Sequence, residues 1–167
     1  EVVCLDVACS MLKQARRLEP RLQLVRGDLR SLPFREECFN AVLCVAAIHH
    51  LPTKRLRIRA LTELKRTLKP HGVLLVTAWS RWQLSMLRRM LKAWLTSPAW
   101  FFEVGDVEVP WTLQGKRYSR FYHLFTKREL RKLVEEAGLK VQWVKGFSPR
   151  PSLLPRNYVA LALKEAG

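Results

Sequence analysis

Short apolar runs alternating with helical stretches constrain this chain more than any other feature. "VVCLDV" (Val2 to Val7) is a β-branched run that reads as a buried strand. Ser10 is placed to cap "MLKQARRL", in which Met11, Leu12, Ala15 and Leu18 share one helical face. "LQLVRGD" (Leu22 to Asp28) and "NAVLCVAAIHH" (Asn40 to His50) read as the next two strands. "KRLRIRALTELKRTLKP" predicts a helix with Leu56, Ala60, Leu64 and Leu68 inward, stopped by Pro70 and the His-Gly turn. "VLLVTAW" (Val73 to Trp79) is the fourth strand, and the amphipathic helix "WQLSMLRRMLKAWL" follows, ended by Pro98. Beyond an aromatic, basic stretch without a helix or strand period, "KRELRKLVEEAG" is a helix with Gly138 as its C-cap. "LKVQWVKG" (Leu139 to Gly146) and "NYVALALK" (Asn157 to Lys164) are the closing strands. Such alternation predicts an α/β fold, a parallel sheet with helices on both faces, in one domain over residues 1–167.

Ligands of such sheets bind outside the carboxyl ends of the strands, so the residues at those ends matter most. Asp6 ends the first strand, where a carboxylate can accept both ribose hydroxyls of an adenosine-containing cofactor or simply cap a turn. Asp28 ends the second. With the next backbone N–H it can pair an adenine edge, or it can serve as a helix cap. The third ends in "AAIHHLP", where Ala46 and Ala47 allow close backbone approach and His49 and His50 stand at the mouth as substrate contacts or as a packing pair.

The charge narrows the partner. Thirty Lys and Arg against fourteen Asp and Glu give +16, a balance that attracts a polyanion. No apolar run approaches the ~18 residues that span a bilayer. The four cysteines have neither CxxC spacing nor a paired histidine motif, so no metal site is expected, and a cytoplasmic location fits reduced thiols.

Taken together, "VVCLDVACSMLKQAR", "GDLRSLPFREECFNAVLCVAAIHHL" and "ALTELKRTLKPHGVLLV" resemble, in order and spacing, the class I S-adenosylmethionine-dependent methyltransferases. The resemblance implies a Rossmann-like sheet and S-adenosylmethionine as cofactor. It puts Asp6 on the ribose, Asp28 and Leu29 on the adenine, and the backbone from Cys44 through Ala46 to Ala47 near the methionine moiety. It also implies a first strand and glycine-rich turn ahead of Glu1, missing from this chain, and hence a longer polypeptide.

The later half is similar to one family among these. "IHHLPTKRLRIRALTEL", "DVEVPW", "RFYHLF" and "RNYVAL" resemble the tRNA wobble-uridine methyltransferases, which esterify carboxymethyluridine. Matching positions are His49 and His50, Arg57, Asp106 to Trp111, Arg120 to Phe125, and Asn157 with Tyr158. Gly105 departs from the family's glutamine and Tyr158 from its tryptophan. The segment 98–125 then reads as an inserted loop facing the substrate, an anticodon loop whose unstacked bases are held by rings and arginine planes. Trp111 and Tyr122 are the candidate rings, although either ring can instead pin the loop to the core.

A carboxylate attacking a sulfonium methyl has no proton to lose, so no general base is expected. Donors to the carboxylate are needed instead, and Arg120, His50 and His123 are candidates, with Asn157 orienting. The resemblance further implies a small zinc-binding activator protein paired onto the Leu22 to Arg26 edge strand. Two other readings stay open: a methyltransferase for small molecules, with "WQLSMLRRMLKAWL" as a lid or membrane-surface helix, and an inactive RNA-binding relative.

Overall fold

The structure, a computed structural model, describes residues 1–96, 103–113, 115–149 and 153–166. Strand β1 (Val3–Asp6) leads into helix α1 (Cys9–Leu18), then β2 (Gln23–Arg26) and β3 (Phe39–Cys44). A 3-10 turn, Ile48–His50, precedes α2 (Lys54–Thr67) and the long β4 (Leu68–Trp79). Helix α3 (Leu84–Thr96) is followed by β5 (Asp106–Leu113) and β6 (Lys116–His123), then α4 (Lys127–Glu136), β7 (Lys140–Phe147) and β8 (Asn157–Leu163). The expected helix stop at Pro98 lies outside the described residues.

β1 and β2 pair in parallel, Val3 opposite Gln23 and Asp6 opposite Arg26. A second sheet has the order β3-β4-β8-β7, parallel between β3 and β4 and antiparallel thereafter. Among the described residues no strand joins β1 to β3. Apolar side chains beside these strands are open to solvent, Leu43 at 70% and Val45 at 63%. The outer edge of β2 is likewise unpaired among the described residues.

The core follows from periodicity. Along β4, Leu74, Val76 and Ala78 are buried and their neighbours half-buried, which is the two-residue alternation of a pleated strand. Ala60, Leu61 and Leu64 of α2 and Leu130, Leu133 and Val134 of α4 share one apolar cluster with those three residues and with Ala160 and Ala162 of β8. Helix α4 starts at a capping box, in which Thr126 accepts from the Glu129 backbone and Glu129 reaches back to the Thr126 N–H. It stops at Gly138, whose φ of +79° only glycine adopts freely.

Four expectations change. Ser10 is not a cap: Ala8 precedes α1 without a side-chain bond, and the Asp6 carboxylate holds the Ala8 N–H instead. The third strand ends at Cys44, because Ala46 at φ +52° turns the chain into the 3-10 segment. The fourth strand begins at Leu68, not Val73: His71 turns within it at φ +61°, yet its N–H donates to the Lys164 carbonyl and the Lys164 N–H donates to the Gly72 carbonyl.

The segment expected to be an irregular loop is, from Asp106 to His123, an antiparallel hairpin turning at Gly115. Val107, Val109 and Trp111 alternate with polar partners at period two, a signal hidden by Pro110. Proline is tolerated because each strand of a two-stranded ribbon has an outer edge, where a missing N–H breaks no ladder. Residues 98–102 of that segment lie outside the described residues.

Candidate active site

At the carboxyl end of β4, Trp79 stacks on Tyr122 of β6, ring centroids 4.4 Å apart and 13° from parallel. His49 and His50 close the cluster. His50 lies 4.6 Å from the Tyr122 ring and 4.5 Å from His49, and His49 lies 5.5 Å from Trp79. Met86 and Met90 of α3 pack with Val107, Tyr122 and Leu124 and hold the hairpin base against the sheet. Asn157 is paired with Trp79 in the β4–β8 ladder, which sets its side chain at the same strand end. Arg120, two residues before Tyr122 on the same face of the ribbon, lies over the Trp111 ring at 4.5 Å. His49, His50, Tyr122 and Asn157 are thus gathered around one strand end, with Arg120 one step out along the hairpin and Trp111 a step beyond it, paired with Tyr118. Trp79, the ring at its centre, was missed by sequence reasoning, although its place at the end of "VLLVTAW" was signal enough.

The two histidines are chemically different. His49 is buried and its Nδ1 accepts the Trp79 N–H at 3.4 Å, so its proton sits on Nε2. Burial pushes its pKa down to about 3, helped by the neighbouring His50 and His123. His50 is half-buried, and its Nδ1 faces the Phe121 carbonyl at 3.2 Å. A carbonyl only accepts, so Nδ1 carries the proton. Burial holds the His50 pKa below its ordinary value against that carbonyl, and the Arg120 charge pushes the same way. Neutral His50 therefore presents a lone pair on Nε2.

His123 does not join the site. It is fully buried, with Nδ1 2.5 Å from Asp106 Oδ1 and Nε2 2.7 Å from Glu129 Oε1, so neither nitrogen is left for a substrate. Arg57 is also withdrawn. Its guanidinium donates to the Leu51 carbonyl at 2.9 Å and to Glu103, lies 5.8 Å from the Phe125 ring, and leaves Nε buried without an acceptor. Both expectations placed at the substrate a charge that the fold uses to fasten the hairpin and its approach. Asp106, Glu103 and Glu129 are the counterions that make this possible, and none of the three was singled out from sequence as their partner.

The expected cofactor residues lie at the ends of β1, β2 and β3. Asp6 Oδ1 accepts from the Ala8 N–H at 2.8 Å, which leaves Oδ2 for a ligand. Asp28 is held below the usual carboxylate range by the side chain and backbone of Arg30, in an exposed pair that a ligand can displace. The Leu29 N–H meets no acceptor among the described residues. Ala46, in its left-handed conformation, donates to Thr77 Oγ1 at 2.9 Å. Cys44 is buried and its thiol pushed up to about 12 by desolvation, so it contributes backbone and no nucleophile. This donor set fits the adenosine of S-adenosylmethionine, with a free carboxylate oxygen for the ribose and an acceptor–donor pair for the adenine.

Comparison with known proteins agrees. The methyltransferase-domain family matches residues 1–76. An S-adenosylmethionine-dependent methyltransferase from Methanosarcina mazei superposes with a TM-score of 0.82, at 20% identity, over 99% of this chain and 82% of that one. A methyltransferase of Encephalitozoon cuniculi is 35% identical over 140 residues, 84% of this chain and 62% of its own length. The tRNA (carboxymethyluridine(34)-5-O)-methyltransferase of Schizosaccharomyces pombe is 30% identical over 155 residues, covering 80% of this chain and 62% of that protein. The chain therefore spans about three fifths of these two curated relatives. Residues 1–76 belong to the methyltransferase-domain family, the fold as a whole is that of the class I S-adenosylmethionine-dependent methyltransferases, and S-adenosylmethionine is the cofactor that this family and fold imply. Among the described residues no helix is long and apolar enough to cross a membrane.

Proposed function

We propose that this protein is a tRNA methyltransferase that esterifies the carboxylate of wobble carboxymethyluridine. The observation that carries this reading is the cluster of Tyr122, Trp79, His50, Arg120 and Asn157 at the end of β4, which offers rings and donors and no acid–base dyad. When bound, S-adenosylmethionine supplies an electrophilic methyl on a sulfonium. An acceptor carboxylate would take that methyl without giving up a proton, so the chain would need to supply no base. The protein's part is then positioning and partial desolvation.

Arg120, whose guanidinium faces no carboxylate among the described residues, holds one face of the acceptor carboxylate. The Asn157 amide orients it. His50, with its lone pair on Nε2, repels a carboxylate and accepts instead, and the imide N–H of a uracil is the donor such a substrate provides. Tyr122, buried and stacked on Trp79, backs the His50 ring, and His49 keeps Tyr122 and Trp79 in place. The segment 98–125 faces the substrate through its hairpin, within one methyltransferase domain. The exposed outer edge of β2, around Leu22 to Arg26, is the place for the zinc-binding activator protein.

The test is transfer of labelled methyl from S-adenosylmethionine to tRNA bearing carboxymethyluridine, using the full-length protein with and without the activator. Label that leaves as methanol in mild alkali supports an ester. Label stable to alkali points to carbon or ring nitrogen. Transfer confined to small acceptors gives the site to a small-molecule methyltransferase, and cofactor binding without any transfer to tRNA would sink the reading.

A further inference from the structure

The two faces of the β5–β6 hairpin are unlike. Cross-strand partners share a face, so Val107 with Tyr122, Val109 with Arg120 and Trp111 with Tyr118 form one side, and Lys116 ends it. Asp106 with His123, Glu108 with Phe121, Pro110 with Ser119 and Thr112 with Arg117 form the other. Every acidic residue of the hairpin is on the second face. The first has Arg120 and Lys116, and neither meets a carboxylate among the described residues.

Its inner end is covered: Val107 and Tyr122 are buried under Trp79, Met86 and Met90. From Arg120 outward it is bare, with Trp111 at 41% and Tyr118 at 52% exposure. Two large rings left in solvent as direct cross-strand neighbours are not needed to hold the hairpin, whose base is fastened at Asp106, His123 and Leu124. At about 3.4 Å per residue, Tyr118 stands roughly 14 Å from Tyr122 along the strand. The bare face therefore leads away from the candidate active site as a row of cation, paired rings and cation.

We infer that this outer face of the hairpin is a stacking platform for unpaired nucleotides next to the one that is methylated. Trp111 and Tyr118 each take the face of a base, while Lys116 follows the phosphate beside them and Arg120, packed over Trp111, stays with the acceptor. Stacking on rings is tolerant of base identity and needs bases that are already splayed, so the platform selects single-stranded RNA over duplex. This deepens the tRNA reading and rests on it for the identity of the modified nucleotide, but the platform itself does not depend on which atom receives the methyl group.

The probe is a short fluorescein-labelled single-stranded RNA, followed by anisotropy, with the same strand annealed into a duplex as comparison. Trp111→Ala and Tyr118→Ala are each expected to weaken single-strand binding on the order of tenfold or more. Thr112→Ala and Ser119→Ala, on the opposite face, are expected to change it less than about twofold. Unchanged S-adenosylmethionine binding shows that each variant is folded. Equal losses from both faces, no loss from either ring, or duplex bound as tightly as single strand overturns the platform. If the ring variants lose RNA while wild type transfers no methyl to carboxymethyluridine tRNA, the platform stands and the esterification reading falls. If wild type esterifies tRNA and the ring variants bind RNA normally, the reverse holds.

Discussion

His123 and Asp106 face each other across the register pair at the base of the β5–β6 hairpin, Nδ1 to Oδ1 at 2.5 Å, and Glu129 of α4 takes the other imidazole nitrogen. One buried ring thus ties both hairpin strands to the helix beneath them. Arg81 extends the tie, with Glu129 at 2.7 Å and the Leu124 carbonyl at 3.2 Å. The hairpin is positioned by charge as well as by apolar packing: among the described residues its buried apolar cluster is Val107, Tyr122 and Leu124, with Trp79, Met86, Met90 and Val109 half-buried around it.

Removing His123 therefore leaves two carboxylates facing a hole. Burial lowers the His123 pKa, but the bonds from Asp106 and Glu129 together outweigh it, and the net shift is upward from 6.5. A raised folded-state pKa gives stability that is full below the unfolded value and lost as pH rises through the folded one. Denaturation of wild type should show stability falling as pH climbs above 6.5, and His123→Gln should abolish that limb. The cost at pH 6 is expected near 3 kcal/mol, the low end for a broken buried pair, because Glu129 keeps part of its side chain in solvent. A pH-independent difference between the two proteins would contradict the imidazolium.

His49 acts with the opposite sign. Its pKa is depressed to about 3, so the unfolded chain binds a proton that the folded chain refuses between pH 6.5 and 3. Stability from this group is full above pH 6.5 and is lost as pH falls through that window. Thermal unfolding of His49→Phe should lose part of the decline between pH 6.5 and 4.5, and His49→Phe combined with His50→Phe most of it, because the His50 pKa is lowered too. The decline below 4.5 should remain, because Glu63 and Glu129 also have lowered pKa values and are then protonated. Retention of the upper part of the acid limb in the double variant would assign it elsewhere.

These electrostatic details mark the limit of what the sequence made legible. The strand-and-helix alternation and the acids at the strand ends are local patterns, and they are found where periodicity places them. Position after the third strand puts His49 and His50 at the mouth, resemblance adds Tyr122 and Asn157, and the four lie at one strand end. What failed was partner choice. Nothing local in "RFYHLF" says that His123 turns toward Glu129, six residues on, and Asp106, seventeen back. Arg57 is likewise claimed by Glu103, 46 residues away. The hairpin was missed because Pro110 and the mixed rings and cations masked a period of two, and because a ribbon with two bare outer edges needs little apolar pattern to form.

Gly105 shows how one residue fixes the start of that hairpin. Its φ is +119°, and a Cβ there would sit 2.4 Å from the Leu124 carbonyl oxygen and 2.7 Å from Arg81 Nη2. Both neighbours are committed, since Leu124 bonds back to the Gly105 carbonyl and Arg81 bonds to Glu129. The glutamine of the resembling family cannot be accommodated in this backbone. Gly105→Ala is expected to cost roughly 2–4 kcal/mol by strain and displacement of the Arg81 tie. Equilibrium denaturation measures it. A cost under about 0.5 kcal/mol would mean that the turn relaxes freely and does not anchor the hairpin.

Arg120 separates charge from geometry in the proposed reaction. It lies over Trp111 at 4.5 Å, is solvent-exposed, and meets no carboxylate among the described residues, so its planar fork is available to an acceptor. Lysine keeps the charge and loses both the fork and the flat contact with the indole. If the fork holds the acceptor carboxylate, Arg120→Lys should lower kcat/KM for carboxymethyluridine tRNA by on the order of tenfold and Arg120→Ala by on the order of a hundredfold, the latter equal to about 2.7 kcal/mol. S-adenosylmethionine affinity should stay unchanged in both. Steady-state kinetics at two salt concentrations decide the matter. An arginine that only attracts the RNA backbone loses its importance as salt screens it, and lysine then replaces it fully. An arginine that grips the carboxylate keeps the Lys-to-Arg difference at high salt, because that contact is short-ranged and directional.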